Sequence, residues 1–260
     1  MALFATKTLK TLGVEPKGRI VFLHNSDEEI GSPSSKCYIE EEAKKSKAVL
    51  VLEPSIPGGA LKTWRKGVAT FEIKINGRGG HAGADYYEGA SAILEAAHQT
   101  VYLHSLSSFE DGTTVNVGVV NGGIASNVIA DEVLLNVDVR VKTAEAGERI
   151  TKKILELKPV DSNTSIKIEG GMNRPPMERN SRNLALFRIA EQVAAQMSIN
   201  LTESGTGGAS DGNFTSALGI PTLDGLGAVG GGGHSVDEHL EVTSLIERGA
   251  ILAGLLFKLG

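Results

Sequence analysis

The sequence predicts an α/β fold with a second, smaller α+β unit inserted into it. Three observations carry that reading. Near the start, short apolar runs flank a helical segment, the pattern of buried strands in a parallel sheet. From Ala69 the apolar residues alternate strictly, as in a sheet with one face in water. From Leu184 helical stripes and a glycine-rich tract return, so the chain leaves the first unit once and comes back.

Taken in order, Met1 to Leu12 suits a helix, with Ala2, Leu3, Ala5, Leu9 and Leu12 on one face and Gly13 and Pro16 as its stop. Its lysines and threonines also fit a transit peptide, which is the weaker reading. Arg19–His24 reads as a buried strand, Asn25–Gly31 as a polar loop, Ser35–Lys45 as a helix and Ala48–Leu52 as a second strand. Strand, helix and strand at this spacing imply a right-handed crossover within a parallel sheet. The inserted unit follows with strand Ala69–Asn76, helix Gly89–Ser105, strands Thr114–Val120 and Glu132–Val141, helix Ala144–Leu157 and strand Ser165–Glu169. That β-α-β-β-α-β order is ferredoxin-like. A helix over Leu184–Met197 carries Leu186, Ala190, Val193 and Met197 in one stripe, and Gly205–Gly233 is rich in glycine. The last helix begins near Ser244, with Glu247 placed to complete a capping box. The expected division is 1–64 with 178–260 for the first domain and 65–177 for the insert.

Composition narrows the function. The 260 residues allow about two domains at roughly 150 residues each. Lys and Arg total 26 against 31 Asp and Glu, a net charge of −5 with no dense basic run, so a nucleic-acid platform is not expected. Cys37 is the only cysteine, which excludes an internal disulfide and a multi-cysteine zinc site and favours a reducing compartment. The longest apolar run, Gly249 to Phe257, is too short for the ~20 residues of a membrane span, and no secretory segment is present. A cytoplasmic protein acting on a small molecule or peptide is expected, with no membrane partner.

Two places could carry chemistry. Asp27-Glu28-Glu29 lies beyond the carboxyl end of the first expected strand, where open α/β sheets place ligands, and Glu53 ends the next. Carboxylates gathered there repel one another unless a cation compensates them, while a solvated acidic loop is an equal alternative. His234 follows four glycines, Gly230 to Gly233, and precedes Asp237-Glu238. Four glycines imply close backbone approach or unusual dihedrals. No Gly-Lys-Ser/Thr ending follows, so a phosphate loop is a weak reading, and Gly77 to Gly83 lacks dinucleotide-fingerprint spacing. A metal ligand is the better reading of His234.

Nine stretches, HNSDEEIGS, VLEPS, GRGGHAG, NVI, DVR, GMNRPPME, GGASDGNF, LGIPTLDGLG and GGGGHSVDE, occur in one order along essentially the whole chain. Together they resemble the di-zinc exopeptidase and deacylase family of glutamate carboxypeptidase, acetylornithine deacetylase, succinyl-diaminopimelate desuccinylase and peptidase T. The flavour is nearest glutamate carboxypeptidase. The resemblance implies a zinc-exopeptidase-like catalytic α/β domain whose insert is a lid and dimerisation domain. It implies Glu28 as general base, Glu29 and His234 as ligands of one zinc, and Glu53 as a ligand of the other. Two zinc ions per site are implied, with cobalt or manganese as possible substitutes. His81 resembles a histidine that reaches across a homodimer to the tetrahedral oxyanion. Asn127 and Arg140 resemble residues gripping a substrate carboxylate, and Ser210 and Asp211 a loop lining the pocket. The substrate class is a peptide or N-acyl amino acid carrying an acidic residue.

The family's His-x-Asp and bridging aspartate are absent. None of His24, His81, His98, His104, His234 and His239 stands in such a motif before Glu28. The chain is therefore expected to lack about the first third of a family member, leaving the catalytic domain incomplete. With two ligands for one zinc and one for the other, the chain alone is expected to be impaired. The alternatives are an N-acyl amino-acid deacylase and a catalytically dead dimerising or ligand-binding fragment.

Overall fold

The computed structural model describes residues 1–260, which form two compact units, Met1–Lys66 with Pro176–Gly260, and Gly67–Pro175. In chain order the first stretch holds α1 (Ala2–Thr11), α2 (Lys36–Lys44), β1 (Val49–Leu50) and β2 (Leu61–Arg65). The inserted unit holds β3 (Gly67–Asn76), β4 (Gly80–His81), α3 (Ala92–Ser105), β5 (Thr114–Gly122), β6 (Val128–Ile129), β7 (Glu132–Val141), α4 (Ala144–Leu155) and β8 (Ser165–Arg174). The return stretch holds α5 (Ser181–Ala195), β9 (Glu203–Thr206), α6 (Gly212–Ala217), β10 (Thr222–Leu223), β11 (Gly230–Gly231), β12 (His239–Leu240) and α7 (Ser244–Leu259).

In the inserted unit β5, β7, β3 and β8 lie side by side in that order, all antiparallel. This is the ferredoxin-like arrangement that the alternating sequence predicts. Phe71, Ile73 and Ile75 of β3 and Val133, Leu135, Val137 and Val139 of β7 are buried with Ala92, Ala96 and Leu103 of α3 and Ile150 and Ile154 of α4. The intervening residues face water, as period-two alternation requires. Thr143 and Ser91 cap α4 and α3 by accepting from the N–H groups of Ala146 and Leu94.

The discontinuous unit is less regular than the sequence predicts. Its parallel pairing consists of two short ladders, β1 with β10 and β2 with β9. Ala48–Leu52 contracts to β1, and Arg19–His24 enters no ladder at all. A strand exists only where a second backbone lies beside it. Here none does, and Val21, Phe22 and Leu23 stand about two-fifths exposed (43%, 40% and 41%). The expected crossover is therefore absent; α2 leads instead to β1, whose neighbour β10 comes from the return stretch. Strands β2 and β9 escape the sequence reading because neither alternates nor forms a long apolar run.

The core of this unit is Leu61, Leu186, Phe187, Ala190, Ala194, Leu201, Leu223, Leu226, Ile251 and Leu255. Ala5 and Leu9 of α1 pack with Leu252 and Ala253 of α7, whereas Leu3 and Leu12 are exposed, so only part of the expected stripe is covered. In the α5 stripe Met197 falls beyond the helix and is partly exposed. The expected capping box at Ser244 does not form. Thr243 precedes the helix, and the Ser244 hydroxyl instead accepts from Val229 N–H and donates to the Glu241 carbonyl. No helix is long and apolar enough to cross a membrane.

Candidate functional site

The acidic loop folds around Asp27. Its carboxylate accepts from Ser34 N–H, Ser35 N–H and the Ser35 hydroxyl. That hydroxyl, with the two N–H groups, holds the Asp27 carboxyl below the usual aspartate range. Glu28 and Glu29 then occupy a single 3-10 turn, Glu28–Ile30, closed by Gly31 in the left-handed region at φ 92°. Asp27 is thus a structural brace; beyond it Glu28 is half-buried and Glu29 is exposed.

The loop is bound to a second one. Asn25 Nδ2 donates to Asp211 Oδ2 at 2.8 Å, and the Ser32 hydroxyl donates to Asp211 Oδ1. Ser210 is wholly buried, its hydroxyl donating to Asp224 Oδ2 at 2.6 Å and accepting from Gly212 N–H. Ser210 and Asp211 therefore support the acidic loop from behind. The Ser210 hydroxyl thus spends its one donor on Asp224. Asp224 also takes two bonds from Arg65, whose guanidinium reaches the Gly208 and Ala209 carbonyls as well. Asn25, Ser32, Arg65 and Asp224 are not singled out as site residues by the sequence, although Asn25 and Ser32 lie inside HNSDEEIGS and Asp224 inside LGIPTLDGLG.

His234 comes to the acidic loop from the other side. β11 and β12 form a narrow hairpin in which a Cβ on Gly230 would meet the His239 carbonyl at 2.2 Å. Gly232 at φ 71° and His234 at φ 63° turn the chain, so the glycine tract serves close approach and positive φ together. The hairpin brings His234 Nδ1 to 3.9 Å from Glu29 Oε2, with both side chains well exposed. Glu53 is half-buried, and burial, with the charges of Asp224 and Glu28 behind it, raises its pKa above the usual glutamate range. The site thus joins Glu29 with His234 and sets Glu28 within electrostatic range of Glu53.

Whether these residues fit a zinc ion follows from the donor set. Two bonds of ~2.0–2.1 Å at a tetrahedral angle put donor atoms about 3.3 Å apart. The Glu29–His234 spacing of 3.9 Å needs only a small closure to match. A pair is nevertheless all that assembles, since nowhere do three His, Cys, Asp or Glu residues gather as a metal-binding group. Catalytic zinc takes three protein ligands. The residues of this chain do not by themselves complete such a site.

Within the inserted unit, the β4–β6 ladder pairs His81 with Val128, and Ala82 N–H donates to the Asn127 carbonyl at 2.9 Å. His81 and Asn127 are thereby neighbours. His81 Nδ1 accepts from the N–H groups of Gly83 and Ala84, both at 3.1 Å. A nitrogen accepting two hydrogen bonds carries no proton, so the neutral ring holds its proton on Nε2 and presents a donor to solvent. Arg140, on β7, gives Nε and Nη2 to the two oxygens of Asp138, each at 2.8 Å.

The profile of peptidase family M20/M25/M40 matches residues 1–258. Carboxypeptidase G2 from Pseudomonas sp. (strain RS-16) is 28% identical over 99% of this chain and 63% of its own length. The succinyl-diaminopimelate desuccinylase of Roseobacter denitrificans is 30% identical over 93% of this chain and 66% of its own. The chain thus spans just under two thirds of these two relatives. Among solved structures, aminopeptidase PepT from Bacillus cereus superposes with a TM-score of 0.80 at 22% identity, covering 99% of this chain and 69% of that one. A Bacillus subtilis protein described as a dinuclear metal-binding peptidase superposes at 0.73 with 18% identity, over 98% and 68%. These superpositions speak for the fold.

Proposed function

Because this chain belongs to peptidase family M20/M25/M40, we propose that its chemistry is hydrolysis of an amide bond beside an acidic amino acid, as in a glutamate carboxypeptidase. The observation that carries the reading is the match to carboxypeptidase G2 along 99% of the chain. In this reading Glu28 takes a proton as water adds to the amide carbonyl, then passes it to the leaving amine. Its place beside the Glu29–His234 pair supports that role. His81 donates its Nε2–H to the carbonyl oxygen as that oxygen gains charge, acting across a homodimer formed through the inserted unit. Asn127 and Arg140 hold the substrate carboxylate, for which Arg140 must share its fork with Asp138 or release it.

Zinc would polarise the carbonyl and acidify the water, with Glu29 and His234 on one ion and Glu53 on the other. The ligand set assembled here is short of that requirement. The protein is proposed to be cytoplasmic and to turn over slowly as the isolated chain. A second reading, an N-acyl amino-acid deacylase, is favoured by the 30% identity to a desuccinylase. A third, a non-catalytic dimerising or ligand-binding module, is favoured by the lack of a three-ligand group.

The test is hydrolysis of p-aminobenzoyl-glutamate, N-succinyl-diaminopimelate and a tripeptide by the purified chain with added zinc. The proposal expects the glutamate conjugate to be preferred, at a rate far below the ~10 per second common among enzymes. Preference for the succinyl substrate favours the deacylase. No turnover of any substrate, with the glutamate conjugate still bound in calorimetry, favours the module.

A further inference from the structure

The discontinuous unit buries more positive than negative charge. Lys62, Arg65 and Arg248 are its buried cations, and Asp224 is its one buried carboxylate. Asp224 is committed to Arg65 by two hydrogen bonds. Lys62 Nζ donates to the Pro54 carbonyl at 2.7 Å, and half-buried Glu53 stands near it as partial compensation. Arg248 has neither arrangement. It is 4% exposed, donates Nη2 to the Gly59 carbonyl, and leaves Nη1 buried with no hydrogen-bond partner. No carboxylate forms an ion pair with it, and burial depresses its pKa against only the neighbouring charge of Glu247.

A second buried polar atom lies in the same neighbourhood without a partner, the Ser55 hydroxyl, on a residue 5% exposed. Ser55 N–H donates to the Ala228 carbonyl, while Val229 N–H donates to Ser244, one turn before Arg248 on α7. The Val229 side chain comes within 3.8 Å of where a Cβ on Gly59 would stand, and Gly59 is the residue that Arg248 bonds. Ser55, within the loop that runs from Glu53 to Gly59, and Arg248, on α7, are therefore both tied to the Ala228–Val229 segment.

We propose that Arg248 Nη1 and the Ser55 hydroxyl form a buried site for a chloride-sized monovalent anion. Two unpartnered hydrogen-bond donors, one of them cationic, attract an anion and repel a metal ion. A guanidinium taken out of water with no counter-charge costs several kcal/mol, which a water molecule cannot return and an anion can. The anion would fasten the Glu53–Gly59 loop to α7. This site is independent of the hydrolase reading and stands or falls separately from it.

The experiment is thermal unfolding of the full chain at fixed ionic strength, with sodium gluconate exchanged stepwise for sodium chloride. The wild type is expected to gain a few degrees along a saturating curve, since a ligand bound to the folded state alone stabilises it by mass action. Arg248→Met should show no chloride response and melt no lower than the wild type in gluconate. Should that variant fail to fold, Arg248→Lys and Ser55→Ala replace it, each moving the chloride midpoint about tenfold higher by weakening one donor. An unresponsive wild type, or variants with the wild-type midpoint, overturns the proposal. Bromide-soaked crystals give an independent reading. An anomalous peak in hydrogen-bond reach of Arg248 Nη1 and Ser55 Oγ supports the site, and an ordered water with no bromide overturns it.

Discussion

The Arg65 guanidinium grips the Asp224 carboxylate through two hydrogen bonds, Nε to Oδ2 at 2.7 Å and Nη2 to Oδ1 at 2.9 Å, and both side chains are buried. The same carboxylate receives the Ser210 hydroxyl, and Asp211 next to it receives Asn25 and Ser32 of the acidic loop. Arg65 also exchanges backbone hydrogen bonds with Met177. One interior ion pair thus underlies the loop that presents Glu28 and Glu29.

Asp224→Asn should cost about 3–5 kcal/mol, because it leaves the Arg65 charge buried and unmatched. The double variant Arg65→Met, Asp224→Leu should recover a large part of that loss. Chemical denaturation measures both. A loss below about 1 kcal/mol for Asp224→Asn would mean that Arg65 is satisfied by the Gly208 and Ala209 carbonyls instead.

Asp211→Ala removes the acceptor of the Asn25 and Ser32 side chains. Amide exchange across Ser26 to Ser35 should accelerate by one to two orders of magnitude, equivalent to about 1–3 kcal/mol of local stability. Exchange in the inserted unit should not change. Uniform acceleration over both units would assign Asp211 to global stability.

Glu95 sets a pH dependence within the inserted unit. Burial pushes its pKa up, but N–H donors from Asp161, Gln99 and Val160 outweigh burial and hold it below the usual glutamate range. A depressed folded pKa means that the stabilisation is complete above the unfolded value, ~4.3, and is lost as pH falls through the folded one. Glu95→Gln should cost roughly 2 kcal/mol at pH 7 and progressively less below pH 4. An unchanged difference between pH 7 and pH 3 would contradict this.

The His81 ring should populate the Nε2–H tautomer, because Gly83 and Ala84 both donate to Nδ1. Nitrogen-15 shifts of the imidazole distinguish the tautomers directly. An Nδ1–H tautomer would remove the outward donor on which the oxyanion role depends.

The inserted unit was the more legible part of the sequence. Its strands alternate along β3 and β7, so local pattern and tertiary packing agree, although the first helix begins at Ala92 behind the Ser91 cap and not at Gly89. The discontinuous unit was less so. Arg19–His24 has the composition of a buried strand, yet composition cannot supply a neighbouring backbone, and the segment stays unpaired. The pairing of β2 with β9 joins residues about 140 positions apart, which no periodicity reveals. Glu29 and His234 stand out in the sequence because a histidine behind four glycines is unusual, and the structure brings the two side chains within 3.9 Å. Arg65 with Asp224 was not, since a buried ion pair across 159 positions leaves no local signature. Ser210 and Asp211 stand in a motif noted in the sequence, but their hydrogen bonds to Asp224, Asn25 and Ser32 join distant segments and leave no local signature.

The proposed function rests on Glu29 and His234, 3.9 Å apart, serving as a zinc-binding pair that no third His, Cys, Asp or Glu residue completes. Zinc content per chain, measured by elemental mass spectrometry after exhaustive dialysis, tests it most directly. The account predicts well under one retained zinc per chain, and none after His234→Ala. Two retained zinc ions per chain would contradict it, since other residues would then be completing both ligand sets.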